Sequence, residues 1–159
     1  DSLIEHDVIE VASQLLTRAG DKLVLPKDII VADRLDAGAK TCTVKVEQGV
    51  DPGLRIVDIG PETVKIFGDY VGDARMIIWN GPMGVFESDT FSSGTIHVAR
   101  AIALATLRGA TSVVGGGETI AAIRKAEVLE SEISHMSTGG GALLEYIGGT
   151  KLPGIEILD

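Results

Sequence analysis

Positive charge is scarce in this chain. Fourteen lysines and arginines stand against 23 acidic residues, a net charge of −9. That balance argues against nucleic acid or an anionic membrane surface as a partner. A phosphate bound here must be held by local donors or a metal, because the overall field repels it. Cysteine is nearly absent: Cys42 alone permits no internal disulfide and fits a reducing compartment. Long apolar runs are missing too, and stretches such as Ala101–Ala105 fall far short of a membrane span. Residues 1–6 are polar and acidic, without the basic and apolar regions of a signal peptide. These absences describe a soluble, cytoplasmic chain. Internal repeats, low-complexity segments and interdomain linkers are also lacking, so residues 1–159 read as a single domain.

What the chain has in excess is glycine, 20 residues against a usual share of roughly 7%. Val8, Val11, Ala12, Leu15, Leu16 and Ala19 recur at helical spacing and stop at Gly20, which predicts an amphipathic helix. Lys22–Leu25, Ile29–Ala32 and Thr43–Val46 read as short strands. From residue 55 strands and helices alternate: strands at 55–59, 75–79, 111–114 and 133–137, with helices opening near Pro61, Ile96, Gly117 and Gly141. Alternation with apolar strands predicts an α/β fold, a doubly wound parallel sheet in three α/β/α layers.

Four of these strands run into glycine-bearing loops: DIGP (58–61), NGPMG (80–84), GGGE (115–118) and TGGG (138–141). Parallel strands would place all four on one carboxyl edge, where open α/β sheets bind ligands. Glycine lets backbone N–H groups approach a ligand, and the helix N-termini that follow suit phosphate. GGGETIAAI is neither a Walker loop, lacking GK[ST], nor a dinucleotide fingerprint, having Ile120 where the last glycine would stand. Glu118 has two readings, an acid favouring the helix dipole or a magnesium ligand beside phosphate. STGGGALLEY (137–146) is either a capped tight turn or a nest of N–H groups for an anion. His135, on a strand, reads as a packed core histidine, and His6 and His97 have no catalytic partner nearby in sequence. Trp79 reads as core or pocket wall. In WNGPMGVFE (79–87), Val85 and Phe86 either line a base pocket or plug the sheet edge.

Taken together, WNGPMGVFE, F-x-x-G-T at 91–95, GGGET, SHMSTGGGALLE and LPGIEIL resemble phosphoglycerate kinases, as do ADRLD (32–36) and DIGPET (58–63). The resemblance covers essentially the whole chain and matches the carboxyl-terminal, nucleotide-binding domain of that family. It implies phosphoryl transfer between 1,3-bisphosphoglycerate and Mg-ADP, giving 3-phosphoglycerate and Mg-ATP. By resemblance, Asn80, Gly81 and the adjoining Pro82 lie at the nucleotide phosphates. Leu35 and Val85 would contact adenine, and Glu87 would take the ribose hydroxyls. Gly116, Gly117, Glu118 and Thr119 would form the loop at phosphates and metal, with Glu118 on Mg²⁺. Gly139, Gly140 and Gly141 would face the transferred group, Gly117 and Gly140 acting in catalysis through backbone donors.

The chain departs from the family pattern in places. Glu118 stands where the family usually has Asp, which would move the carboxylate outward by roughly 1.5 Å. Ile56 replaces a glycine common beside the adenine. The family enzyme has two lobes, and no counterpart of the amino-terminal, phosphoglycerate-binding lobe or of a GAK-type lysine segment is visible here. None of the four glycine loops contains lysine or arginine. The expectation is an incomplete nucleotide domain with little or no turnover alone, or a non-catalytic nucleotide-binding fragment that self-associates through exposed sheet edge.

Overall fold

The structure, a computed structural model, describes residues 5–157. Among the described residues six strands form two three-stranded sheets rather than one. Strands β4 (Met76–Asn80), β5 (Thr111–Gly115) and β6 (His135–Ser137) are parallel and ordered β4-β5-β6. Strands β1 (Asp28–Ala32), β2 (Thr41–Lys45) and β3 (Arg55–Ile59) are antiparallel and ordered β2-β1-β3. The α/β class read from the sequence holds, with helices flanking a parallel sheet. The 55–59 strand, expected in that sheet, instead pairs antiparallel with β1. Alternation of strands and helices fixes neither partner nor direction; backbone pairing between distant segments does.

Helices α2 (Pro61–Asp73), α3 (Ser93–Leu107) and α4 (Gly117–Lys125) supply the cover. Val98, Ala99, Ile102 and Ala103 of α3 meet Ile77, Trp79 and Val114 of the parallel sheet and Ile120 and Ile123 of α4 in one core. Ile102 and Ile123 are almost wholly enclosed, each worth about 1.5–3 kcal/mol of burial. A smaller cluster of Ala32, Val57 and Phe91 belongs to the antiparallel sheet.

Two carboxylates of the antiparallel sheet start the helices that cover the parallel one. Asp28 of β1 accepts from the Thr63 amide at 2.8 Å and the Glu62 amide at 3.0 Å, on the first turn of α2. The Thr63 hydroxyl also donates to Asp28 Oδ1 at 2.7 Å. Burial pushes the Asp28 carboxyl up, but the Thr63 hydroxyl and amide, the Glu62 amide and Lys45 outweigh it and hold it below its usual value. Asp58 of β3 accepts from the Gly94 amide of α3 at 2.7 Å and from the Ile59 amide at 2.9 Å. Here burial wins: it raises the Asp58 carboxyl more than those two amides and His97 lower it.

Several apolar segments remain uncovered. Helix α1 (Ile9–Ala19) forms where its periodicity predicts and stops at Gly20, yet none of its residues is buried. Lys22–Leu25 is not a strand: Gly20–Lys22 forms a 3-10 turn, and Leu23 and Leu25 are exposed. Strand β4 buries Ile77 and Trp79 but exposes Met76 (67%) and Ile78 (45%). One face of the parallel sheet is therefore covered and the other is open along β4. Helices α5 (Gly140–Ile147) and α6 (Pro153–Glu156) complete the described chain, largely exposed apart from Gly140. No helix among the described residues is long and apolar enough to cross a membrane.

Candidate functional site

Parallel register sets Asn80, Gly115 and Ser137 side by side at the carboxyl edge of the sheet. Each ends its strand, and each is followed by one of the glycine loops. The loops are tied to one another by short bonds. The Gly116 amide donates to the Ser137 carbonyl at 2.9 Å, and the Gly81 amide donates to the Thr119 hydroxyl at 2.8 Å.

Gly116 and Gly140 are in contact, and glycine is needed at both. Gly116 has φ +92°, a conformation side chains rarely adopt. A Cβ on Gly140 would stand 2.7 Å from Asn80 Oδ1 and 2.8 Å from the Gly116 Cα. Two chain segments thus meet backbone to backbone beside the Asn80 side-chain amide. Gly117 and Gly141, one residue further along, have open space where a Cβ would go.

The starts of α2 and α3 differ from those of α4 and α5. Those of α2 and α3 are closed by Asp28 and Asp58. Those of α1 and α6 carry no side-chain cap. Nor do those of α4 and α5, at the loop cluster. Their first-turn N–H groups are thereby left for a ligand or solvent, with the positive ends of two dipoles behind them. Beside them a groove of about 340 Å³ is lined by Gly117, Ile120, Arg124, Glu130, Met136 and Thr138. This geometry can hold an anion with two or more oxygens through backbone donors.

Most of the residues singled out in the sequence fall in this cluster: Asn80, Gly81, Pro82, Gly116, Gly117, Glu118, Thr119, Gly139, Gly140 and Gly141. Three of the four glycine loops share the edge. The fourth, DIGP, does not, because its strand belongs to the antiparallel sheet. Thr119 is buried and its hydroxyl receives Gly81, so it braces the loops. The Ser137 hydroxyl accepts from the Gly139 amide at 3.3 Å, a turn contact that does not cap α5.

Leu35 is exposed in the loop after β1 (51%), while Val85 is half-buried against Ala32 and Val57. Glu87 is exposed. Phe86 is buried and packs in the main core. His135 is exposed, not packed: it opens β6, an edge strand of the parallel sheet. Ile56 is 45% exposed on β3.

Glu118 lies exposed on the first turn of α4. Among the described residues no three His, Cys, Asp or Glu side chains gather as a metal cage. A single carboxylate beside an open anion cradle fits magnesium carried in by phosphates, since that ion keeps waters and uses few protein ligands.

No local pattern marks Asp58 or Lys125. In sequence Asp58 reads only as part of the DIGP loop, yet it receives the amide of Gly94 in the F-x-x-G-T motif. Lys125 reads in sequence as an ordinary basic residue ending a helix.

The chain also resembles known proteins over nearly its whole length. The phosphoglycerate kinase family model matches residues 1–150. Phosphoglycerate kinase of Rubrobacter xylanophilus is 53% identical over 157 residues, covering 99% of this chain and 39% of the relative. That of Leuconostoc mesenteroides is 46% identical, covering 98% of this chain and 38% of the relative. Among solved structures, phosphoglycerate kinase of Coxiella burnetii superposes with a TM-score of 0.89 at 42% identity, over 99% of this chain and 40% of its own. The Pyrococcus horikoshii enzyme gives 0.77 at 34% identity, over 94% and 36%. The chain thus spans about two fifths of the length of the kinases it matches. Across that span the chain belongs to the phosphoglycerate kinase family.

Proposed function

We propose that this chain is the nucleotide half of a phosphoglycerate kinase site, a single nucleotide-binding domain that takes Mg-ADP and Mg-ATP. The observation that supports it most is the contrast between helix starts: two are closed by buried carboxylates, and the two at the loop cluster are open. In this reading Asn80, Gly81, Pro82, Gly116, Gly117, Thr119 and Gly139–Gly141 hold the phosphates. Leu35 and Val85 meet the adenine and Glu87 the ribose. Glu118 would hold the magnesium ion, which when bound neutralises phosphate charge. The backbone donors of Gly117 and Gly140 stabilise oxygens of the transferred group.

The reaction served is transfer of a phosphoryl group from 1,3-bisphosphoglycerate to ADP, leaving 3-phosphoglycerate and ATP, in the cytoplasm. The chain alone turns over little or not at all. It spans about two fifths of its relatives, and its glycine loops offer no lysine or arginine to the phosphates, a part phosphoryl transfer requires. Calorimetric titration with Mg-ADP and with NAD, beside a coupled kinase assay, tests this. Mg-ADP binding with negligible turnover is expected. Binding of NAD alone overturns the nucleotide assignment, and turnover near that of an intact kinase overturns the inactivity.

A second reading has its own observation. Met76 and Ile78 on β4 and the Val11, Leu15 and Leu16 stripe of α1 are exposed together in one small chain, the kind of surface that drives self-association. A concentration series by sedimentation separates a monomer from a dimer.

A further inference from the structure

The loop between β4 and α3 joins two hydrophobic clusters. Phe86 is anchored in the main core, and Val85 and Phe91 in the smaller one. Between those anchors the chain turns outward through Glu87, Ser88 and Asp89, held by few backbone bonds, Ser88 to Val85 at 3.2 Å and Phe91 to Ser88 at 3.0 Å. Lys125, the last residue of α4, reaches this turn. Its ammonium donates to the Glu87 carbonyl at 3.0 Å and pairs with Asp89 Oδ1 at 2.7 Å. A basic residue in the last turn of a helix is ordinarily a solvated side chain favouring the dipole. Arg124 fits that description at 69% exposed; Lys125, at 23%, is folded down onto the loop. The same ammonium holds the exposed Asp89 carboxyl below its usual value.

Helix α4 therefore grips this loop at two points. Thr119, on its first turn, takes the Gly81 amide, and Lys125, at its last residue, takes the Glu87 carbonyl. The grips lie six positions apart, about 9 Å of helix. A helix is stiff over that length, so it sets how far Glu87 stands from the phosphate loops.

We propose that Lys125 is a positioning residue: by pinning the Glu87 carbonyl to α4 it fixes the Glu87 side chain at the distance a nucleoside diphosphate needs between ribose and phosphates. This rests on the nucleotide reading above. Lys125 touches no phosphate, so its loss is felt by ligands that carry a ribose and not by those that lack one.

Two measurements on the chain decide it. Hydrogen exchange follows the Ser88 and Phe91 amides, with the Ile120 amide of α4 as the reference. Calorimetry follows Mg-ADP and magnesium pyrophosphate. In Lys125→Met, exchange at Ser88 and Phe91 speeds while Ile120 is unchanged, Mg-ADP binds about tenfold more weakly, and pyrophosphate binds as before. Lys125→Arg restores both, having donors of equal reach. Asp89→Asn, which removes only an exposed pair and leaves the Glu87 bond, changes Mg-ADP affinity little. Equal exchange in Lys125→Met and the parent chain overturns the pin. Faster exchange across the whole chain overturns positioning in favour of general stabilisation, as does equal weakening of both ligands. If the parent chain binds neither ligand, the nucleotide reading fails and the ribose role with it, and the exchange result alone then decides whether the pin exists.

Discussion

Substituting Gly140 by alanine should destabilise the chain, while the same change at Gly141 should not. The new Cβ at 140 would lie 2.7 Å from Asn80 Oδ1, 2.8 Å from Gly116 Cα and 2.9 Å from Gly116 N. Two of those three atoms are backbone, and they belong to a residue at φ +92° between β5 and α4, which has little freedom to move. If everything stayed in place, overpacking would cost about 1–3 kcal/mol. Helix α5 has a cheaper escape. It is exposed except at Gly140 and the half-buried Leu143, whose Cδ2 lies over Gly115. Lifting α5 away would forfeit roughly half of a leucine's burial, about 1 kcal/mol. The escape sets the ceiling, so the expected loss is about 1 kcal/mol, a fall in Tm of about 2–4 °C for a chain of this size. Gly141→Ala meets nothing within 4 Å and gains helix propensity of up to about 1 kcal/mol. Thermal unfolding by circular dichroism reads both. Gly140→Ala melting at or above Gly141→Ala would refute the backbone contact between Gly116 and Gly140, and with it the geometry of the site.

Thr119→Val leaves the Gly81 amide without its acceptor at a buried position. A loss of about 1–3 kcal/mol in urea unfolding is expected, recovered by Thr119→Ser. Asp28→Ala orphans the Glu62 and Thr63 amides at once, while the Thr63 hydroxyl keeps the Asp28 carbonyl, and should cost about 2–4 kcal/mol by the same measurement. The two buried aspartates act in opposite pH windows. Asp28, held below 3.8, contributes stability present above that value and lost as acid protonates it in the folded chain. Asp58, raised above 3.8, binds its proton more readily folded than unfolded, so stability falls as pH rises from 3.8 through its folded value. Asp58→Asn should flatten that decline in a Tm series, and an unchanged slope would show that the decline arises elsewhere. Leu15→Gln, on the uncovered stripe of α1, should change monomer stability by less than about 0.5 kcal/mol, whereas Ile102→Ala in the core should cost about 2–5 kcal/mol.

Much of the site was legible because its signal is local. Clustered glycines at strand ends report backbone that must come close to something, and NGPMG, GGGE and TGGG do meet at one edge. Glu118 falls beside them because it follows its loop directly. DIGP carried the same local signal and went elsewhere, since its strand found an antiparallel partner in β1 rather than a parallel one in β4. His135 misled in the other direction: a histidine on a strand looks packed, but β6 is an edge strand and His135 is exposed on it. Leu23 and Leu25 failed likewise, their apolar character finding no surface to pack against.

By itself the sequence determined the α/β class, nearly all the element positions, the glycine loops, and the family. Each of these depends on residues close together in the chain: periodicity, turn chemistry and motif order. Tertiary structure alone decided that there are two sheets, that Asp28 and Asp58 cap α2 and α3, that Gly116 lies against Gly140, and that Lys125 grips the Glu87 turn. Those contacts join residues up to 38 positions apart, and no local pattern encodes which distant carbonyl or carboxylate a donor will reach. Packing chooses the partner, because a buried polar group left without one costs about 1–3 kcal/mol, a sizeable share of a fold's net stability.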